Sequence, residues 1–472
     1  MKPTASQASE LPAGLRRDLS DIAGPGGLLT DPADRWPYGY DNSQRHILPI
    51  AVFFATDAEQ IPPLVALCNA HRLAITARGR GTGTTGASVP APGGLVVSFE
   101  RMRQIRRIDA ADRLAVVEPG VLNQTLQEAA AEHGLFWPPD PSSAAFCTIG
   151  GNLACNAAGP RAVKYGTTRD ATLGLHAVTG AGAAIRTGVA TTKGVVGYDL
   201  TRLLIGSEGT LALITEATLR LTPLPETKRT LRALYRDIAA AADAVAAIMA
   251  QPVTPCALEF MDAAALESVR RYSDPGIPDA VRALLMIEVD GPAAGMDAAV
   301  ASIARAARNP GLMDLGTAHD AAEVEALWKT RKALSPAMRH LAPKKINEDI
   351  VVPVSQLAVL IAGLERLAEE RGIRIVNYGH AGNGNIHVNL LLDPAVPGES
   401  ERAEQCLSAV FDLVLALGGT LSGEHGVGLV KRPFVARELD PAAIGLMRAI
   451  KRQFDPNGIL NPDKGLPEAA KD

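Results

Sequence analysis

The chain has 472 residues, 47% of them hydrophobic and 21% charged, with a formal net charge of −4. That length exceeds one ordinary core and the balance is that of soluble globular proteins, so two or three domains are expected. No lysine–arginine run stands out, which argues against a nucleic-acid or anionic-membrane partner, and the five scattered cysteines (Cys68, Cys147, Cys155, Cys256, Cys406) form no C-x-x-C pair, which argues against an iron–sulfur cluster, a zinc ribbon or a disulfide framework.

In chain order, residues 1–44 read as an N-terminal extension. Its start, MKPTASQASELPAGLRRDLSDIAG, has no apolar core and is interrupted by Glu10, Asp18 and Asp21, unlike a secretory leader. Residues 45–225 are glycine-rich and mix short strands with helices. Apolar residues at helical spacing predict helices over 57–70, with Asp57 as cap, and over 122–133. LAVVEPG and the alternating LALITEATLRL predict strands. Pro223 and Pro225 mark a boundary. From 226 to 420 strand-like LRALYR, ALEFMD and LLMIEVDG alternate with helices over 239–250 and 293–308, the pattern of a ferredoxin-like α+β domain. Residues 421–472 are too few to bury a core and are expected to pack back on the first domain. No segment offers the roughly 18 uninterrupted apolar residues of a spanning helix; the alanine-rich 239–250 is short and holds Asp243. The scattered cysteines without a disulfide framework make a cytoplasmic location the expectation, peripheral membrane contact included.

Gly81, Gly83 and Gly86 satisfy G-x-G-x-x-G, the dinucleotide fingerprint, but that fingerprint needs a helix immediately after it. ASVPAPGG follows instead, with two prolines and two glycines, so a nicotinamide site is disfavoured. The glycines still allow several backbone N–H groups to converge on an anion such as pyrophosphate, with hydroxyls from Thr82, Thr84 and Thr85. PPDPSS (138–143), TIGGNLACNAAG (148–159) and GYDLTRLLIGSEGTLALIT (197–215) again put small residues where backbone must approach something large and flat.

Near the end of the chain come GHAGNGNIHVN (379–389) and SGEHGVG (422–428). His380 and His387 would face opposite sides of an unbroken strand, but Gly382 and Gly384 allow a turn that brings the imidazoles together, and alternation then puts His387 and Asn389 on one face. Two imidazoles with the Glu424 carboxylate suit a divalent metal such as zinc, leaving His425 as a base.

RGRGTGTTGA (78–87), PPDPSS, TIGGNLACNAAG, KYGTTRD, GYDLTRLLIGSEGTLALIT and FDPNGILNPDKG (454–465) resemble the FAD-linked oxidases of the vanillyl-alcohol-oxidase type, whose FAD domain is of the p-cresol-methylhydroxylase type. The resemblance implies an α+β fold: that FAD-binding domain, a ferredoxin-like substrate or cap domain and a short C-terminal helical segment. It implies FAD contacts at Arg80, Gly81, Thr82, Gly83, Thr84, Thr85, Gly86, Pro139, Asp140, Ser142, Thr148, Gly150, Gly151, Asn152, Gly206, Glu208, Gly209, Ile214 and Asn461. No His or Cys lies between Arg78 and Gly86, so FAD is expected to be non-covalent. GHAGNGNIHVN and SGEHGVG resemble the C-terminal domain of D-lactate, glycolate and D-2-hydroxyglutarate dehydrogenases. That implies metal ligands at His380, His387 and Glu424 and a general base at His425; many members carry Asp where Asn383 stands. LWKTRK looks like the family's W-x-x-R segment and makes Arg331 the candidate for the substrate carboxylate, with Lys345, Asn389 and Asn347 nearby. The expected activity is oxidation of a D-2-hydroxy acid, D-lactate first, with glycolate, D-2-hydroxyglutarate and a subunit of a larger hydroxy-acid oxidase as alternatives. An external electron acceptor is expected: an electron-transfer flavoprotein, a cytochrome or a quinone. A homodimer is compatible with all of this.

Overall fold

Residues 10–272 and 276–468 are described by the structure, a computed structural model; the first nine residues of the expected N-terminal extension lie outside them. The described chain divides into two units. The first comprises the described residues of 10–159, 166–224 and 424–468; the second comprises those of 160–165 and 225–423.

The first unit holds two sheets. One has the order β1 (Leu28–Leu29), β2 (Ala51–Phe54), β4 (Leu95–Ser98), β3 (Ile75–Arg78). Strands β2 and β3 flank β4 in parallel, so a crossover must join β2 to β3. Helix Ile61–His71 is that crossover, introduced by a capping box between Asp57 and Gln60. Strands buried on both faces read as continuous apolar runs, and β2 is AVFF with every residue buried. The N-terminal helix Ala13–Ala23 lays Leu15, Leu19 and Ala23 into the same core.

The second sheet is antiparallel, in the order β5 (Ile105–Asp109), β6 (Leu114–Val117), β10 (Ala212–Arg220), β8 (Thr172–Thr179), β9 (Ala184–Gly188). A two-stranded pairing of β7 (Leu135–Phe136) with β11 (Thr222–Pro223) stands beside it. Residues after 423 return to this unit. Helix Pro441–Phe454 places Ile450 and Phe454 against the core beneath the second sheet. Ile459 and Leu460 complete the other core, and the amides of Ile75 and Asn461 exchange hydrogen bonds with Ile459 and Ile75 carbonyls, each 2.7 Å long. No helix runs from Gly81 to Gly94, which agrees with the rejection of the dinucleotide fingerprint.

The second unit is built on one antiparallel sheet of seven strands: β15 (Leu312–Thr317), β12 (Thr227–Tyr235), β14 (Ala283–Gly291), β13 (Ala257–Asp262), β17 (Arg374–His380), β18 (Asn385–Leu392) and β16 (Lys344–Val351). Directly paired residues share a face. Glu259 pairs with His380, Tyr378 with His387, His387 with Asp349, and Asn389 with Asn347. This face therefore carries most of the unit's buried polar groups. Helices Ala263–Tyr272 and Ala321–Arg339 cover its apolar part through Leu266, Val269, Leu334 and Met338.

Candidate active site

The hairpin β17–β18 sets the geometry of the second unit's site. A single 3₁₀ turn, Ala381–Asn383, reverses the chain, and Gly384 follows at φ +71°. A Cβ there would stand 1.9 Å from the Val352 carbonyl oxygen, so only glycine closes this turn. The reversal brings the rings of His380 and His387 to 5.2 Å between centroids, edge to face. Both side chains are buried.

His380 Nδ1 lies 2.5 Å from Glu259 Oε1, and the other oxygen of that carboxylate accepts from Arg331 Nε at 2.8 Å. Glu259 has no exposed surface. Burial pushes its carboxyl upward, but the His380 ring and the Arg331 guanidinium hydrogen-bonded to it outweigh burial and hold it below the usual range. The Arg331 guanidinium also sits 4.5 Å over the Tyr378 ring, a cation–π contact. Three residues earlier on the same helix, Trp328 Nε1 donates to Glu288 at 2.9 Å, and Glu288 accepts as well from Thr230 and Lys228. Residues three apart share a helix face, so the W-x-x-R spacing docks one helix on two buried glutamates of adjacent strands.

Of the other expected residues here, Asn389 donates to the Val376 and His387 carbonyls and accepts from Asn347 at 2.7 Å. Lys345 donates to Ser335 at 3.2 Å, and burial lowers its ammonium pKa. The Gly423 amide donates to Asp349 Oδ2 at 2.9 Å.

In the first unit, the glycine-rich loop and the loop that carries His425 are tied together. Thr85 Oγ1 is 3.3 Å from the His425 carbonyl, and the Leu429 and Val430 amides donate to the Thr85 carbonyl. Glu208, buried and at φ +53°, accepts from the Val427 amide at 2.6 Å and the Gly428 amide at 2.9 and 3.0 Å. A Cβ on Gly426 would lie 2.2 Å from Glu208 Oε1. Asn461 donates to the Ala87 and Glu208 carbonyls. Thr148 caps helix Ile149–Cys155 through the Gly151 amide. Arg80 faces Glu100 at 3.6 Å with half of its side chain exposed.

Two observations bear on the groups expected here. Thr84 Oγ1 is buried yet has no hydrogen-bond partner among the described residues, as in a cradle whose donors await a ligand; the cradle fits FAD. The His380–His387 pair offers two imidazoles to one centre, a donor set suited to a borderline divalent metal such as zinc.

Sequence reasoning missed Glu259, Glu288 and Tyr378. The signals available were the glutamates inside the apolar strands ALEFMD and LLMIEVDG, which a buried donor or cation must answer.

The fold and these two sets of residues are those of a flavin-dependent oxidoreductase. The chain belongs to the FAD-linked oxidases: residues 49–188 match the FAD binding domain and residues 224–465 the FAD linked oxidases, C-terminal domain. It is 40% identical to glycolate oxidase subunit GlcD of Bacillus subtilis, over 97% of each chain. It is 34% identical to D-2-hydroxyglutarate dehydrogenase of Stutzerimonas stutzeri, over 95% of this chain and 97% of the other, and 32% identical to D-lactate dehydrogenase of Anaerostipes hadrus, over 88% and 89%. Among solved structures, p-cresol methylhydroxylase with substrate bound shares the fold, with a TM-score of 0.81 over 96% of both chains at 19% identity. No described helix is long and apolar enough to cross a membrane.

Proposed function

We propose that this protein oxidises a small 2-hydroxy acid to the 2-oxo acid, with D-lactate as substrate, and passes the electrons to an external acceptor. The observation that supports it best is the set of full-length relatives, whose names give glycolate, D-2-hydroxyglutarate and D-lactate. These three share a carboxylate beside a carbinol carbon. Glycolate is the second reading, favoured by the 40% identity to a glycolate oxidase subunit.

Non-covalent FAD supplies the hydride acceptor, and a divalent metal, zinc in this reading, supplies the Lewis acid that makes the substrate hydroxyl acidic. Residues 80–86 and 148–152, with Pro139, Asp140, Ser142, Gly206, Glu208, Gly209, Ile214 and Asn461, hold the flavin, Glu208 and Asn461 by shaping the loops. His380, His387 and Glu424 hold the metal. Arg331 takes the substrate carboxylate in its planar fork, because guanidinium matches carboxylate in two parallel hydrogen bonds. Asn389 and Lys345 line the acid's binding face. His425 takes the hydroxyl proton as the general base. Residues 45–225 with 421–472 form the flavin half, and 226–420 the substrate half. The acceptor is an electron-transfer flavoprotein, a cytochrome or a quinone, and the site of action is the cytoplasm or its membrane face.

Anaerobic stopped-flow mixing of the yellow protein with R- and S-2-hydroxy acids tests this. Bleaching of the flavin by D-lactate, ahead of glycolate and D-2-hydroxyglutarate, is the expected result. No bleaching by any 2-hydroxy acid overturns the activity.

A further inference from the structure

We propose that Glu259 is a positioning residue shared by both halves of the substrate-binding chemistry: one carboxylate orients the Arg331 fork and locks His380 with its proton on Nδ1. The inference rests on the function proposed above, which makes Arg331 the carboxylate clamp and His380 a metal ligand.

The argument is geometric. A carboxylate with both oxygens engaged can only accept. Arg331 Nε is an obligate donor and reaches Oε2 at 2.8 Å, which keeps the carboxylate charged. The second contact, His380 Nδ1 to Oε1 at 2.5 Å, therefore requires a proton on Nδ1. In a neutral imidazole that puts the lone pair on Nε2, so Nε2 is the ligating nitrogen. The strand register secures the arrangement, because Glu259 and His380 are directly paired across β13 and β17. Arg331 is held from two sides, by this carboxylate and by the Tyr378 face at 4.5 Å. Its helix is fixed one turn earlier by Trp328 on Glu288. With Nε committed to Glu259, the terminal nitrogens of the fork are the pair presented to a substrate carboxylate. Glu259 thus sets the direction of one substrate contact and the tautomer of one metal ligand.

A glutamine at this position separates the roles. Its single carbonyl oxygen serves Arg331, which cannot become an acceptor, and its NH2 then faces His380 Nδ1, favouring the opposite tautomer. The expected result for Glu259→Gln is a zinc affinity lowered about 10- to 100-fold, with KM for the hydroxy acid at saturating zinc within about threefold of the parent, since Arg331 keeps its acceptor. FAD content and the visible flavin spectrum stay as in the parent. Arg331→Met should raise KM with zinc affinity within about threefold, and His380→Gln should lower zinc affinity with little change in FAD content.

The direct readout is a long-range proton–nitrogen correlation spectrum of the FAD-loaded full chain labelled with ¹⁵N-histidine, after chelator treatment and again after zinc addition. His380 is assigned by its loss in His380→Gln. The expected spectrum shows His380 protonated on Nδ1 in the parent and on Nε2 in Glu259→Gln. An unprotonated Nδ1 in the parent overturns the proposal even if Glu259→Gln misfolds. Unchanged protonation and unchanged zinc affinity in a folded Glu259→Gln protein overturn it as well. The functional reading fails separately: a parent that shows the expected tautomer and binds zinc but is not bleached by any 2-hydroxy acid leaves the lock standing and removes the substrate assignment.

Discussion

Replacing Glu208 should loosen the loop that presents His425. The carboxylate is 6% exposed and accepts from two backbone amides at 2.6 to 3.0 Å. A hydrogen bond to a charged acceptor contributes about 1.5–3 kcal/mol, so two amount to about 3–6 kcal/mol. Removing the group also relieves the cost of keeping a carboxylate dry, the reason burial pushes its pKa upward. The net loss for Glu208→Ala is thus about 2–4 kcal/mol, local to the loop. At tenfold per 1.4 kcal/mol, exchange protection of the Val427 and Gly428 amides should fall about 30- to 700-fold. Glu208→Gln keeps one acceptor and should lose about half of that free energy. Hydrogen exchange followed by mass spectrometry on a peptide covering 424–430 of the FAD-loaded protein reads this directly, and flavin reduction by substrate should slow in parallel. Protection within twofold of the parent in Glu208→Ala would refute the clamp, and loss of FAD with an undisturbed loop would return Glu208 to a purely flavin-binding role. The positive φ of 53° at this non-glycine residue is what a strongly determined contact tolerates.

His425→Ala should keep the yellow colour and reduce flavin bleaching by substrate about 10²- to 10⁴-fold; bleaching at the parent rate removes the base. Chelator dialysis should spare FAD and abolish turnover, with recovery on adding zinc, and undiminished turnover of a metal-free sample ends the metal's role. Arg331→Lys keeps the charge but loses the planar fork, so kcat/KM for the acid should drop at least about tenfold, measured at saturating acceptor. Asp262 is buried, and burial pushes its carboxyl up to about 7 despite donors from the Ala265 and Asn377 amides and the Asn377 side chain. The folded state therefore holds this proton more tightly than the unfolded state. Its contribution is complete below about pH 4 and is lost as pH rises toward 7, at most about 4 kcal/mol. Denaturant midpoints at pH 4.5 and 8 should show that fall shrinking in Asp262→Asn; an equal fall in both proteins contradicts the assignment.

Much of the local geometry of the candidate site was legible in the chain itself, because its constraints are local. The two prolines after Gly86 excluded the helix a dinucleotide fold requires, and no helix follows there. The His380–His387 reversal was readable from Gly382 and Gly384, since a turn is decided within a few residues. The W-x-x-R spacing is likewise local, one turn of helix. The partners of those groups were not legible. Glu259 answers Arg331 and His380 from a strand 72 and 121 residues before them, and Glu208 answers the loop after His425 from 219 and 220 residues away. Nor does anything in the sequence mark residues 160–165 for the second unit, where Lys164 and Tyr165 both engage Asp290. Local sequence determines turns, caps and the faces of single elements. Which buried carboxylate meets which cation is decided by strand register and helix docking, where the cost of leaving a charge unpaired in a dry interior selects one arrangement from many.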